Sequence, residues 1–210
     1  MKALLQRVGL GGILVALVAG SAGADWPQMG GPDRNNSSSE TGLARAWPEG
    51  GPRTLWSAAL EDGFGSPSVR DGKVYILDRI GNDGDNLRCF DLESGEERWN
   101  FYYEARGRVS YDGSRTAPTV TEDRIYFVGP LGHFHCLDLE TRQVIWKKHL
   151  RTDFGQDTPR WGVPQAPVLY RDLVIVGPRR RTPLSSPIIG KRATWRGRAL
   201  PWADWATPCQ

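Results

Sequence analysis

A pattern of proline, short strand, tight turn and tryptophan-closed hairpin occurs twice in this chain, with 51 residues from Pro67 to Pro118 and 47 from Trp99 to Trp146. In the first copy Ser66-Pro67-Ser68-Val69 leads through the turn Asp71-Gly72 into Lys73-Val74-Tyr75-Ile76-Leu77, a run rich in β-branched and aromatic residues. A second hairpin has residues 87–92 going up, Glu93-Ser94-Gly95 turning and residues 96–99 coming down. Gly95 stands where a positive φ is expected. The second copy repeats each landmark in order: Ala117-Pro118-Thr119-Val120, the turn Glu122-Asp123, strand 124–128, then His135-Cys136-Leu137-Asp138-Leu139 and Val144-Ile145-Trp146. Asp91 and Asp138 hold the same place in the two copies. The surplus of the first copy, Asn82-Asp83-Gly84-Asp85-Asn86, is expected to form a solvated hairpin loop.

A third copy opens at Gln165-Ala166-Pro167-Val168-Leu169, and a partial unit ends at Leu55-Trp56. A small twisted sheet has two faces to cover, so units of four short strands must stack on one another, which favours a propeller. The expected fold is all-β, a partial β-propeller of about three four-stranded blades. A two-sheet sandwich would explain the hairpins but not the ordered return of Pro, Asp and Trp. Helical repeats are excluded by the lack of any long 3.6-residue period. Trp56, Trp99 and Trp146 are read as structural rings filling the gap between blades, and Pro67, Pro118, Pro167, Asp91, Asp138 and Gly95 as landmarks of the repeat. Arg142 replaces Gly95 in the second copy, where a positive φ costs on the order of 1 kcal/mol.

The first residues read as an export signal. Lys2 and Arg7 precede an apolar run from Val8 to Val18, and Ala22-Gly23-Ala24 supplies small residues at a cleavage site between Ala24 and Asp25. The run is too short to span a bilayer core of about 30 Å, so no transmembrane segment is expected after cleavage. Asp25 stands where a lipoprotein would carry its cysteine. The three cysteines are too widely spaced for a disulfide scaffold or a zinc site, and Cys89 and Cys136, equivalent in the two copies, read as small buried apolar side chains in preference to a disulfide. The net charge of +3 draws on an arginine-rich stretch from Arg179 to Arg198 without interleaved stacking aromatics, which argues against nucleic-acid binding.

The run Leu87-Arg88-Cys89-Phe90-Asp91-Leu92-Glu93-Ser94-Gly95-Glu96-Glu97-Arg98-Trp99 and its echo at 135–146 resemble the repeat of pyrroloquinoline-quinone (PQQ) type propellers, within the broader WD40/quinoprotein-like architecture. The stretch Asp25-Trp26-Pro27-Gln28-Met29-Gly30-Gly31-Pro32 resembles the start of secreted, planctomycete-like PQQ-like proteins. The resemblance covers 25 to about 177 and implies an eight-bladed disc, of which this chain would be an N-terminal part. It implies a location in the periplasm or outside the cell. Full quinoprotein dehydrogenases of that kind hold PQQ and calcium in a central channel, and the motifs matched here carry over none of those ligands. The nearest candidates for such a role are Arg115 and Trp161, whose structural alternatives are a loop salt bridge and a packed aromatic.

No catalytic set, P-loop, dinucleotide fingerprint or Gly-x-Ser-x-Gly elbow is present. His133 and His135 lie two apart on a strand, a poor start for a metal site. Asp83, Asp85, Glu61 and Asp62 offer oxygens but lack the terminal bidentate acid of a calcium loop. After Gly177 the text changes character, yet Trp195 follows Pro167 by 28 residues, as Trp146 follows Pro118. A reading-frame shift would explain that. The expected organisation is a signal peptide at 1–24, an N-terminal segment with a first partial blade at 25–57, PQQ-like repeats at 58–178 and an aberrant basic tail at 179–210. Two functions compete: an exported scaffold or binding module without cofactor, partnered by further blades or by another protein, and a truncated piece of a PQQ-dependent alcohol or sugar dehydrogenase.

Overall fold

The computed structural model describes residues 25–177 and 188–191. The first sheet is a meander of β1 (Ser68–Arg70), β2 (Lys73–Ile80), β3 (Gly84–Asp91) and β4 (Glu97–Glu104), each antiparallel to the next. The second repeats it with β5 (Thr119–Val120), β6 (Arg124–Val128), β7 (His133–Asp138) and β8 (Val144–His149). A five-residue helix, α1 (Leu150–Phe154), precedes a third sheet of β9 (Val168–Tyr170), β10 (Leu173–Val176) and β11 (Ile188–Lys191). These are successive blades of a β-propeller. The strand β11 falls inside the arginine-rich stretch, where composition gave no sign of one. The remaining residues of that stretch, and Ala24 with the expected signal peptide, lie outside the described residues.

The repeat has a physical basis in register. Ser68 pairs with Tyr75, Tyr75 with Cys89 and Cys89 with Trp99; in the next blade Thr119 pairs with Tyr126, Tyr126 with Cys136 and Cys136 with Trp146. The same residue types therefore lie side by side across each sheet, and the Tyr–Trp ring centroids sit 6.0 and 6.1 Å apart. Hairpin chemistry repeats too. Asp91 Oδ1 accepts from Ser94 N at 2.9 Å, and Asp138 Oδ1 from Thr141 N at 2.8 Å, which fixes each turn before the backbone enters the left-handed region at Gly95 (φ 73°) and Arg142 (φ 62°).

Blades stack through two apolar layers. Tyr75, Leu77, Leu87 and Cys89 of the first face Ile125, Phe127 and Leu137 of the second, with Trp99 and Phe101 against them. The alternate residues of the second blade, Tyr126, Val128, Phe134 and Cys136, turn the other way and meet Leu169, Val174 and Val176 of the third. One strand thus serves two interfaces by the two-residue period of its side chains. Buried hydroxyls add a stitch, since Ser68 Oγ donates to the Pro118 carbonyl at 2.5 Å and Thr119 Oγ1 to the Pro167 carbonyl at 2.7 Å.

The N-terminal segment runs along the inner strands. Trp26 exchanges two backbone hydrogen bonds with Val69, of 2.8 and 2.9 Å, the Pro27 carbonyl accepts from Val120 N at 2.8 Å, and Arg34 donates to the Leu169 carbonyl. It ties three blades together. Among the described residues no helix is long and apolar enough to cross a membrane.

Candidate functional site

The segment Asn82–Asn86 is a solvated loop only in part: Asn82 and Asp83 are exposed in the turn, while Gly84, Asp85 and Asn86 belong to β3. β2 and β3 pair up to that turn, Ile80 with Gly84 and Arg79 with Asp85, and the Asp85 side chain is held from across the ladder. Arg79 Nη1 and Asp85 Oδ1 form an ion pair of 2.7 Å with both side chains wholly buried. Arg79 Nη2 then donates to the carbonyls of Ala105 and Gly107, at 2.9 and 2.8 Å. Burial pushes the Asp85 carboxyl above its ordinary range while Arg79 pulls it back, and burial raises the neighbouring Tyr103 phenol well above its usual value. Gly129 has to lack a side chain here, since a Cβ would collide with the Tyr103 hydroxyl and Asp85 Oδ2.

Above this pair lies an open groove of about 1360 Å³ at the end of the propeller where β4 leaves the first blade and β7 enters the second. Its walls are the two connections between blades. Ser110 N donates to the Arg160 carbonyl at 2.9 Å, and Arg160 Nε to Ser110 Oγ at 3.0 Å, so residues fifty positions apart clamp the walls together. Gly107, whose carbonyl accepts from Arg79, is part of the lining, so the buried pair fixes the floor. Arg106, Arg108, Arg151 and Arg160 line it against a single carboxylate, Glu104, which pairs with Arg106 at 2.5 Å.

The histidines serve packing at the groove edge. His133 and His149 meet edge to face with centroids 4.6 Å apart, and His149 Nδ1 accepts from Arg151 N, capping α1. Burial first, then the charge of His149, lowers His133 to about 4. His135 is stacked on Phe127 and contacts Tyr103, and burial lowers it to about 3. Both are neutral at neutral pH. Among the described residues no three His, Cys, Asp or Glu side chains group as metal ligands.

Arg115 lies nearer the inner strands. Its guanidinium donates to the carbonyls of Tyr111 and Trp161 and sits 5.2 Å over the Phe64 ring, so it makes a carbonyl clamp in place of a loop salt bridge. Trp161 is 48% exposed, not packed. Asp83 is exposed in the turn, the Glu61 amide donates to Asp78, and Asp62 pairs through its backbone with Arg79. Asp85 is engaged by Arg79, and Arg115 is held by carbonyls. Cys89 and Cys136 are free, and burial lifts their thiols to about 11 and about 12, so they are unreactive.

The repeat residues sit at blade boundaries. Trp56 stacks on Phe90, donates to the Leu92 carbonyl at 2.8 Å and lies against Gly95, where a Cβ would strike its ring. Pro67 precedes β1 as Pro118 and Pro167 precede β5 and β9. Asp25 Oδ1 accepts from the Asp71 amide at 3.0 Å. The hydroxyls of Ser68 and Thr119 were missed in the sequence, although a residue of that type following Pro in both complete copies was a usable signal.

Residues 40–186 match the PQQ_2 family, described as outer membrane protein assembly factor BamB. Among solved structures, quinohemoprotein alcohol dehydrogenase from Comamonas testosteroni is similar over 73% of this chain and 23% of its own, at 18% identity and a TM-score of 0.53. A europium-containing methanol dehydrogenase aligns over 60% of this chain and 22% of its own (21% identity, TM-score 0.45), and BamB from Moraxella catarrhalis over 55% and 30% (19% identity, TM-score 0.37). The chain therefore spans less than a third of each of these proteins. No curated protein matches it significantly. At such identities the likeness shows the fold alone.

Proposed function

Because the chain belongs to the PQQ_2 family, described as outer membrane protein assembly factor BamB, we propose that it is part of an exported PQQ-like propeller acting as a scaffold or binding module. The observation that carries this reading is the groove at the loop end. Its walls are clamped by Ser110 and Arg160, its floor is fixed by a buried ion pair, and its lining is basic and open. Preorganised, open and charged surfaces suit binding of a partner. The ionisable groups beneath are engaged in structure: Asp85 with Arg79, Arg115 with carbonyls, and the thiols and His135 in apolar layers.

Export rests on the signal-like start and on cleavage between Ala24 and Asp25. Asp25 makes its contact with Asp71 from the first position of the mature chain so defined, and the strap along the inner strands begins there. N-terminal sequencing of the protein recovered outside the cytoplasm tests this, with Asp25 as the expected first residue. The catalytic alternative is tested by adding PQQ and calcium to the full-length protein and following dye reduction with alcohols and sugars. No reduction is expected. Turnover would replace the scaffold reading with a quinoprotein dehydrogenase.

A further inference from the structure

We infer that the groove between the first two blades binds an acidic peptide segment, with Arg108 and Arg151 as its carboxylate anchors. The inference deepens the binding-module reading and depends on it. Four arginines face one glutamate in the lining, and that glutamate already pairs with Arg106. Arg160 is held by Ser110. Arg108 and Arg151 also line the groove and both are exposed, so two further guanidinium forks face a ligand. A guanidinium fork matches a carboxylate in a bidentate pair.

The layout favours an extended chain over a single small anion. Arg108 stands on the connection after β4 and Arg151 on α1 after β8, so the two charges come from different blades' ends along the lining. The groove is open and its volume exceeds that of one oxyanion many times over. Next to the clamp stand Tyr111 and Trp161, 68% and 48% exposed, whose carbonyls Arg115 holds together. They offer ring faces for the apolar parts of a peptide, as aromatic and arginine residues commonly do at interfaces.

The test uses the full chain and a fluorescein-labelled hexaglutamate peptide, with binding followed by anisotropy at low and high ionic strength. Binding is expected to weaken with salt. The double variant Arg108→Gln/Arg151→Gln should lose about tenfold or more in affinity, and Arg45→Gln/Arg53→Gln, with the same loss of charge elsewhere on the surface, should bind as the parent does. All four positions are exposed, so matching circular dichroism is expected. Absence of binding, equal weakening by both double variants, or capture of tripolyphosphate with no capture of the peptide would overturn the assignment. The dye-reduction assay is independent of these outcomes, so failure here is distinguishable from failure of the binding-module reading.

Discussion

Arg79 and Asp85, on neighbouring strands of the first blade, meet at 2.7 Å with no solvent contact to either side chain. Removing one partner leaves an uncompensated buried charge, which costs about 3–5 kcal/mol. Asp85→Ala is therefore expected to lower the free energy of unfolding by that order in urea denaturation. Replacing both, as Arg79→Leu/Asp85→Leu, should recover a large part of the loss. A double variant as unstable as the single one would show that the hydrogen bonds of Arg79 to Ala105 and Gly107 matter more than the charge pair.

Ser68 and Thr119 join successive blades by donating to the carbonyls of Pro118 and Pro167, and both are buried. Thr119→Val keeps the shape but leaves the Pro167 carbonyl without that donor, at a cost of about 1–3 kcal/mol. Ser68→Ala should cost a similar amount at the other interface. The two sites lie in different blades, so their effects should add in thermal melts. A strongly non-additive pair would mean that the blades do not act as separate nearest-neighbour units.

The hairpins were legible because each repeats a chemistry that acts locally: Asp91 and Asp138 cap their own turns, and Tyr, Cys and Trp fall in register within one sheet. What was missed depends on partners far along the chain. Asp85 sits in a run of Asn, Asp and Gly that reads as a turn, and only the opposing Arg79 makes it a strand residue. The groove joins Ser110 to Arg160 across a whole repeat, which no window of sequence displays. Arg115 could be singled out as a lone cation near the inner strand, but its carbonyl partners could not.

Gly95 and Arg142 occupy the same turn position at φ 73° and 62°. Arg142→Gly removes the steric cost of the left-handed conformation and is expected to stabilise the protein by about 0.5–1 kcal/mol. Gly95→Ala should act the opposite way and more strongly, because the new Cβ would also strike the Trp56 ring. Differential scanning calorimetry of the two variants checks both signs. A destabilised Arg142→Gly protein would show that the arginine side chain makes a contribution larger than the strain.

His135 sets a pH dependence that its surroundings make directional. It is 4% exposed, stacked on Phe127 with centroids 5.1 Å apart, and burial lowers its pKa to about 3. An unfolded histidine titrates near 6.5, so below that pH the unfolded chain takes up a proton that the folded protein refuses. Stability is full above about 6.5 and declines as the pH falls toward 3, with His135 alone contributing a loss of about 2 kcal/mol by pH 5. His133, lowered to about 4, adds to the same slope. Asp91 and Asp138 are lowered as well, Asp91 chiefly by the Arg98 guanidinium and Asp138 by the Thr141 amide, but ordinary carboxylates titrate near 4, so their contribution is lost only at lower pH. Between pH 7 and 5 the histidines therefore contribute to the slope and these two carboxylates do not. His135→Phe, which keeps a flat ring between Phe127 and Tyr103, should show a smaller fall in Tm over that interval than the parent. Parallel curves would mean that His135 takes up its proton inside the fold.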